Sequence, residues 1–224
     1  MPAFLLLSPL LLLRPIQDAE TFEAASHLLH QMRDANRNIA DMRCLFTMEI
    51  TKDGHVLPVQ RTILRYRSHP EIIHLTFLEP HEGRKVVYRK DENGGTMRVR
   101  PDGFWGFLTL KLDPLGERAM EEAIDPITAQ GFPNIVAAAE RLLQSARIAG
   151  PARVRVDTLS TTTGLAPTIR LLFQIGDSLE TSLEVDARTF LPARISKRDR
   201  ANAAVYRYEN IEVNPGIPEE EFDL

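Results

Sequence analysis

Residues 44–67 read CLFTMEITKDGHVLPVQRTILRYR, two strand-like runs on either side of Lys52-Asp53-Gly54. Asp-Gly is a preferred dipeptide of tight hairpin turns, because glycine reaches positive φ without a Cβ clash. Residues 44–51, before the turn, are rich in strand-forming types. From 56 to 67, Arg61, Ile63, Arg65 and Arg67 fall on one face and Thr62, Leu64 and Tyr66 on the other. That period of two is the mark of a half-buried strand. A hairpin with one arginine-rich face and one apolar face belongs to an antiparallel sheet that is solvated on one side.

The same pattern extends outward. Residues 72–78 form a strand ending at Pro80, and 86–90 and 96–100 flank Asp91-Glu92-Asn93-Gly94-Gly95, a second hairpin signal. After Gly150 the strands resume at 154–158, 168–175, 179–185, 193–197 and 204–213, with turns at Gly164, Gly176-Asp177 and Asp186-Ala187. Three segments have helical character. In 19–40, Phe22, Ala25, Leu29, Met32, Ala35 and Ile39 recur at threes and fours. Residues 115–123 and 133–146 read as two central helices, the second opening on a proline. Short links between successive strands imply a meander rather than a parallel α/β sheet. The expected fold is therefore α+β: a strongly curved antiparallel sheet of about ten strands, an unclosed half barrel, with the amino-terminal helix and the central helices on its concave face. Residues 19–224 are expected to form a single domain.

The chain has 224 residues, 43% hydrophobic and 26% charged, which excludes disorder, collagen-like repeats and a polytopic membrane protein. Its 27 basic and 31 acidic residues give a net charge of −4, so no global field recruits nucleic acid. The single cysteine, Cys44, can neither form an internal disulfide nor build a metal site alone. Residues 3–13, AFLLLSPLLLL, are too short to span a bilayer but suit the core of a secretory signal. Residues 1–18 are thus expected to be a signal peptide, and the protein periplasmic or otherwise exported.

Sites of chemistry are few. Gly176-Asp177-Ser178-Leu179 resembles the block of a serine esterase and lipase family, whose histidine base lies downstream. All six histidines here precede Gly176, so Ser178 lacks a base and a turn is the better reading. His27 and His30 share a helix face without further ligands at a characteristic spacing, so no metal is expected. Glu79, His81 and Glu82 read as a polar turn before Gly83. Phe104, Trp105 and Phe107 lie in a glycine-bounded loop and have two readings: a plug closing the sheet edge, or a wall of an apolar cavity.

Residues 78–131 resemble a bacterial family known as domain of unknown function 1571. The likeness rests on Pro80-His81-Glu82-Gly83-Arg84, Tyr88, Asn93-Gly94, Leu112-Asp113-Pro114-Leu115-Gly116, Ala119-Met120, Pro126-Ile127-Thr128 and Gly131. Asp125 stands where that family often has a histidine. The order of elements, with the tail Tyr208-Glu209-Asn210-Ile211-Glu212-Val213-Asn214 followed by Ile217-Pro218 and Phe222, resembles the periplasmic lipoprotein carriers of the LolA-like superfamily. The resemblance implies an exported, non-enzymatic protein whose half barrel holds a lipid or lipoprotein acyl chain, with no cofactor. On that reading the wall is drawn from Phe77, Tyr88, Met97, Trp105, Phe107, Leu112, Met120 and Ile124. The competing implication is an envelope module that uses the same fold to bind a protein partner.

Overall fold

The computed structural model describes residues 19–92, 95–148, 152–159, 167–176 and 179–224. The expected signal peptide, the Asn93-Gly94 turn tip, Gly164 and Ser178 lie outside them.

Helix α1 (Ala19–Arg37) is followed by β1 (Asp41–Lys52), β2 (His55–Val56), β3 (Gln60–Arg67), β4 (Ile72–Glu79), β5 (Lys85–Arg89), β6 (Met97–Arg100) and β7 (Leu110–Leu112). After helix α2 (Phe132–Ile148) come β8 (Ala152–Leu159), β9 (Thr168–Ile175), β10 (Leu179–Asp186), β11 (Pro192–Arg198) and β12 (Ala203–Val213). The strands form one antiparallel sheet in the order β7-β6-β5-β4-β3-β1-β12-β11-β10-β9-β8, with β2 off this path on β1. Its edges, β7 and β8, do not pair, so the expected unclosed half barrel is the architecture found.

One expectation, a helix over 115–123, needs correction. Among the described residues the sheet has twelve strands where about ten were expected, and the run 56–67 breaks at Leu57-Pro58-Val59. Pro58 has no N–H to give a ladder, so pairing stops and restarts. Residues 115–123 are not a helix. Asp113 accepts the Leu115 N–H through its side chain at 2.9 Å, and isolated turn bonds follow, from Gly116 to Asp113 and from Ala119 and Met120 to Gly116. An aspartate competing for the backbone and a glycine within a nine-residue stretch leave too little to nucleate a helix.

The concave face carries the main core, to which β1 gives Met42, Cys44, Phe46 and Met48, and α1 gives Leu28, Leu29 and Met32. From α2 come Phe132, Ile135, Val136, Ala139 and Leu143. Fully burying one such large side chain is worth about 1.5–3 kcal/mol. Helix α1 packs on α2, and both contact β8. Gly131 opens α2 with φ +110°, and a Cβ there would meet the Tyr66 ring at 3.0 Å, so glycine is required.

On the convex face arginines of β3 and β5 meet carboxylates. Arg65 pairs with Glu221 at 2.8 Å, Arg67 with Glu219, and Arg89 with Glu219 at 2.9 Å and Asp223 at 3.2 Å. These pairs strap the carboxyl-terminal segment over a small second core of Ile72, Val87, Ile217 and Phe222. His74 is buried on the same face, and burial, followed by the charges of Arg65 and Lys85, lowers its pKa to about 3.

That histidine makes stability fall with acid. The unfolded chain takes up a proton below about pH 6.5, whereas the folded one does not until about 3, so stability is lost between those values. The loss amounts to about 2 kcal/mol at pH 5. Urea unfolding at pH 7.5 and 5.0 should show His74→Leu losing about 2 kcal/mol less than the wild type between the two. Equal losses would contradict the assignment.

Candidate functional site

The segment 113–131 crosses the concave face as turns and one short 3₁₀ helix, Ile127–Ala129, so backbone groups not bonded within those turns need partners from outside. Lys52 Nζ donates to the Met120 carbonyl at 2.6 Å and Gln60 Nε2 to the Glu122 carbonyl at 3.1 Å. The Glu122 carboxylate is held by Arg84 at 3.0 Å and by His81 Nε2 at 3.1 Å, while His81 Nδ1 lies 3.2 Å from Asp102. The polar turn around His81 is thus a clasp that ties the β4–β5 loop to this covering segment.

Asp125 ties the segment to the other half of the sheet. Both its oxygens accept from Lys197 Nζ at 2.8 Å, and Oδ2 also accepts the Tyr206 hydroxyl at 2.7 Å. Burial, and then the Asp125 charge, raise the Tyr206 pKa, so the phenol stays protonated as the donor. Nearby, the buried Tyr208 hydroxyl donates to Gln130 Oε1 at 3.3 Å.

Two cavities flank this tie, and Asp125 and Gln130 border both. The first, about 370 Å³, lies between α2 and strands β9–β12; Ile135, Ala138, Leu142, Phe173, Leu183 and Ile195 make its apolar wall. The second, about 340 Å³, lies between strands β3–β7 and the covering segment, with Leu75, Phe77, Val86, Met97, Val99 and Leu112 in its wall. Arg84, Arg118, Glu121 and Glu122 give the second a more polar border.

Of the residues expected in a wall, Phe77, Met97 and Leu112 therefore line the second cavity. Tyr88 and Ile124 are half-buried against the main core, and Met120 is half-buried in the covering segment. Trp105 and Phe107 require correction: they are 58% and 70% exposed, neither plug nor wall. The loop holding them forms a short 3₁₀ turn from Gly103 to Trp105, which directs the rings outward. The first cavity was not anticipated. Its signal is the apolar alternation of β9–β12, which marks a buried face without revealing incomplete filling.

Among the described residues Ser68 Oγ lies 3.0 Å from His69 Nδ1, but the pair stands on the surface at the end of β3, and the hydroxyl donates to the Ala40 carbonyl at 3.2 Å. Cys44 is buried and burial pushes its thiol up to about 12, which suppresses the reactive thiolate. His27 and His30 lie on the exposed side of α1, where His30 sits 3.2 Å from Asp34. Among the described residues no group of three metal-ligating side chains comes together.

Residues 39–224 match the family model described as a protein of unknown function, DUF1571. The chain belongs to the DUF1571 family. The motif residues Asp113, Pro114, Gly116, Pro126, Ile127 and Thr128 all lie in the covering segment between the cavities. No curated protein matches this DUF1571 chain in sequence. Among solved structures, it is similar to the Mycobacterium tuberculosis lipoprotein LppX at 12% identity, over 88% of this chain and 98% of that one, with a TM-score of 0.51. An uncharacterized conserved protein of Thermus thermophilus is 10% identical over 89% and 92%, with a TM-score of 0.50. A LolA superfamily protein of Nitrosomonas europaea is 12% identical over 89% and 97%, with a TM-score of 0.41. At such identities the likeness is one of fold.

Removing the Asp125 tie leaves a half-buried ammonium and a buried phenol unpaired. Asp125→Ala should lose about 2 kcal/mol of stability, lowering Tm by roughly 4–8 °C. Lys197→Met in that background should cost less than it does alone, with a coupling of about 1 kcal/mol or more. Additive effects would show that the pair is not a structural tie.

Proposed function

We propose that this DUF1571 protein is an exported, non-enzymatic carrier that binds a lipid or lipoprotein acyl chain in the cavities of its concave face. The observation that carries the reading is the first cavity, an apolar space of about 370 Å³ between α2 and the sheet. That volume lies within the usual range of ligand sites, roughly 300–1,000 Å³. Protein interiors are otherwise packed to crystal density, and a void of this size lowers stability. A cavity kept at that cost is best explained by an occupant that fills it.

The energetics suit an alkyl chain. Each methylene moved from water into the cavity gains about 0.8 kcal/mol, so ten gain roughly 8 kcal/mol. That gain must exceed an association cost of about 4 kcal/mol or more. Helix α2 forms one wall with Ile135, Ala138 and Leu142, side chains that can shift without breaking hydrogen bonds. No helix of the described residues is long and apolar enough to cross a membrane.

The test is mass spectrometry of the organic extract of mature protein, exported in a bacterium and purified without detergent. Near-stoichiometric acyl lipid, absent from a control exported protein, is expected. Ala138→Phe, which projects a ring into the first cavity, should reduce the recovered lipid at least fivefold with little change in Tm. An empty wild-type extract, even after incubation with bacterial lipid vesicles, would overturn the proposal.

A further inference from the structure

The loop between β6 and β7 exposes more apolar surface than a turn requires. Phe104 is 82% exposed, Trp105 58% and Phe107 70%, and Leu115 beside the same edge is 71% exposed. The three rings contact one another at centroid separations of 5.5–6.3 Å. The loop is built, with Gly106 N–H bonded to the Gly103 carbonyl at 3.1 Å and Leu108 N–H to the Trp105 carbonyl at 2.9 Å. An ordered aromatic cluster facing water is unfavourable unless something covers it.

The adjoining charge says what covers it. Register places Lys85 opposite Arg100 and Arg98 opposite Lys111. These four cations share the face opposite Met97, Val99, Leu110 and Leu112, which line the second cavity. Several other arginines of the sheet meet carboxylates, as in Arg43–Glu212, Arg61–Glu79 and Arg207–Glu49. Among the described residues, no carboxylate lies within ion-pair distance of Lys85, Arg98, Arg100 or Lys111. Of the acidic groups close in sequence, Asp102 is engaged by His81 and Asp113 by the Leu115 N–H, which leaves Glu117 exposed.

We propose that this corner docks on an anionic lipid bilayer, with Phe104, Trp105 and Phe107 in the interfacial layer and Arg98, Arg100 and Lys111 against the headgroups. Aromatic rings flanked by long cationic side chains match that layer, which is apolar on one side and wet and negative on the other. The second cavity opens beside this corner, since Pro101, Leu110 and Pro114 also line it. The docking itself does not depend on the carrier reading.

The experiment uses the single tryptophan, Trp105, as reporter. Vesicles of phosphatidylcholine with 30% phosphatidylglycerol should co-sediment the protein and shift its emission to the blue, and brominated lipids should quench it. Arg98→Gln, Arg100→Gln and Lys111→Gln together should weaken binding at least tenfold, as should phosphatidylcholine alone or raised salt. Phe104→Ser with Phe107→Ser should weaken it at least tenfold on the anionic vesicles, with Tm unchanged because both side chains are exposed. Ala138→Phe should bind like the wild type, so the outcome is independent of whether the first cavity holds lipid. No sedimentation with anionic vesicles, or sedimentation with an unshifted Trp105 spectrum, would overturn the proposal. So would undiminished binding by the Phe104/Phe107 variant; crosslinking from the loop to a soluble protein, with vesicles ignored, would assign the corner to a protein partner instead.

Discussion

Strand β1 is paired along its length on both sides, with β3 from Asp41 to Met48 and with β12 from Met42 to Thr51. The second ladder brings together the beginning and the end of the chain, and through it two meanders become one sheet. Its inward residues Met42, Cys44, Phe46, Met48 and Ile50 are all buried and form the midline of the concave face. Its outward Arg43 and Glu49 meet Glu212 and Arg207 across the same pairing. A register slip of one residue would reverse both faces at once, so apolar burial and ion pairing enforce the same alignment. Once the sheet is continuous and curved, its apolar side must be covered, and the remaining structure answers that requirement.

The two sides of the midline are covered differently. Helices α1 and α2 satisfy their own backbone groups and present apolar stripes to β8 and β9. The segment 113–131 does so only in part, and draws on Lys52 and Gln60 of the sheet for backbone carbonyls and on Lys197 for the Asp125 carboxylate. Beside the helix formers Leu115, Ala119 and Met120, the motif places Asp113, Pro114, Gly116, Pro126 and Thr128 in this cover. These are residues that fix turns in a cover whose shape is set by polar anchors. A cover held at points is poor at filling space, and the cavities lie on either side of its Asp125 anchor.

Most of the sheet was legible in the sequence because alternation, arginine faces and turn dipeptides are local signals. The arms of the first hairpin, the two meanders and α2 follow from them directly. The cover was legible only as a resemblance. Its helical reading failed because Ala119, Met120 and Ala123 have helical propensity, but Asp113 and Gly116 supply competing turn bonds. The Asp125–Lys197 pair spans 72 positions and joins two halves related only through the fold, so no spacing could reveal it. Phe104, Trp105 and Phe107 were visible as an excess of aromatics, but whether such a loop turns inward or outward depends on the space left under it. Here the apolar concave side is already lined by Met97, Val99 and Leu112, and the loop lies beyond them at the edge.

The Asp125 anchor also limits what the concave face can accept. At roughly 30 Å³ for each group of methylene or water size, either cavity holds about a dozen such groups. A longer alkyl chain that entered from one side would reach an ion pair and a phenol, and displacing these would leave charges unpaired in an apolar setting. The barrier is therefore electrostatic rather than steric. It favours two short compartments over one long tunnel, or else a shift of α2 that lengthens the first cavity while the anchor holds. Of the two covers, α2 is bonded to the β3–β4 turn through Asn134 and Glu71 at 2.9 Å and to α1 through Arg33–Glu140 and Arg147–Ser26. A shift that spares these bonds carries α1 along, whereas the other cover is bonded to Lys52, Gln60, Arg84 and Lys197 of the sheet side itself.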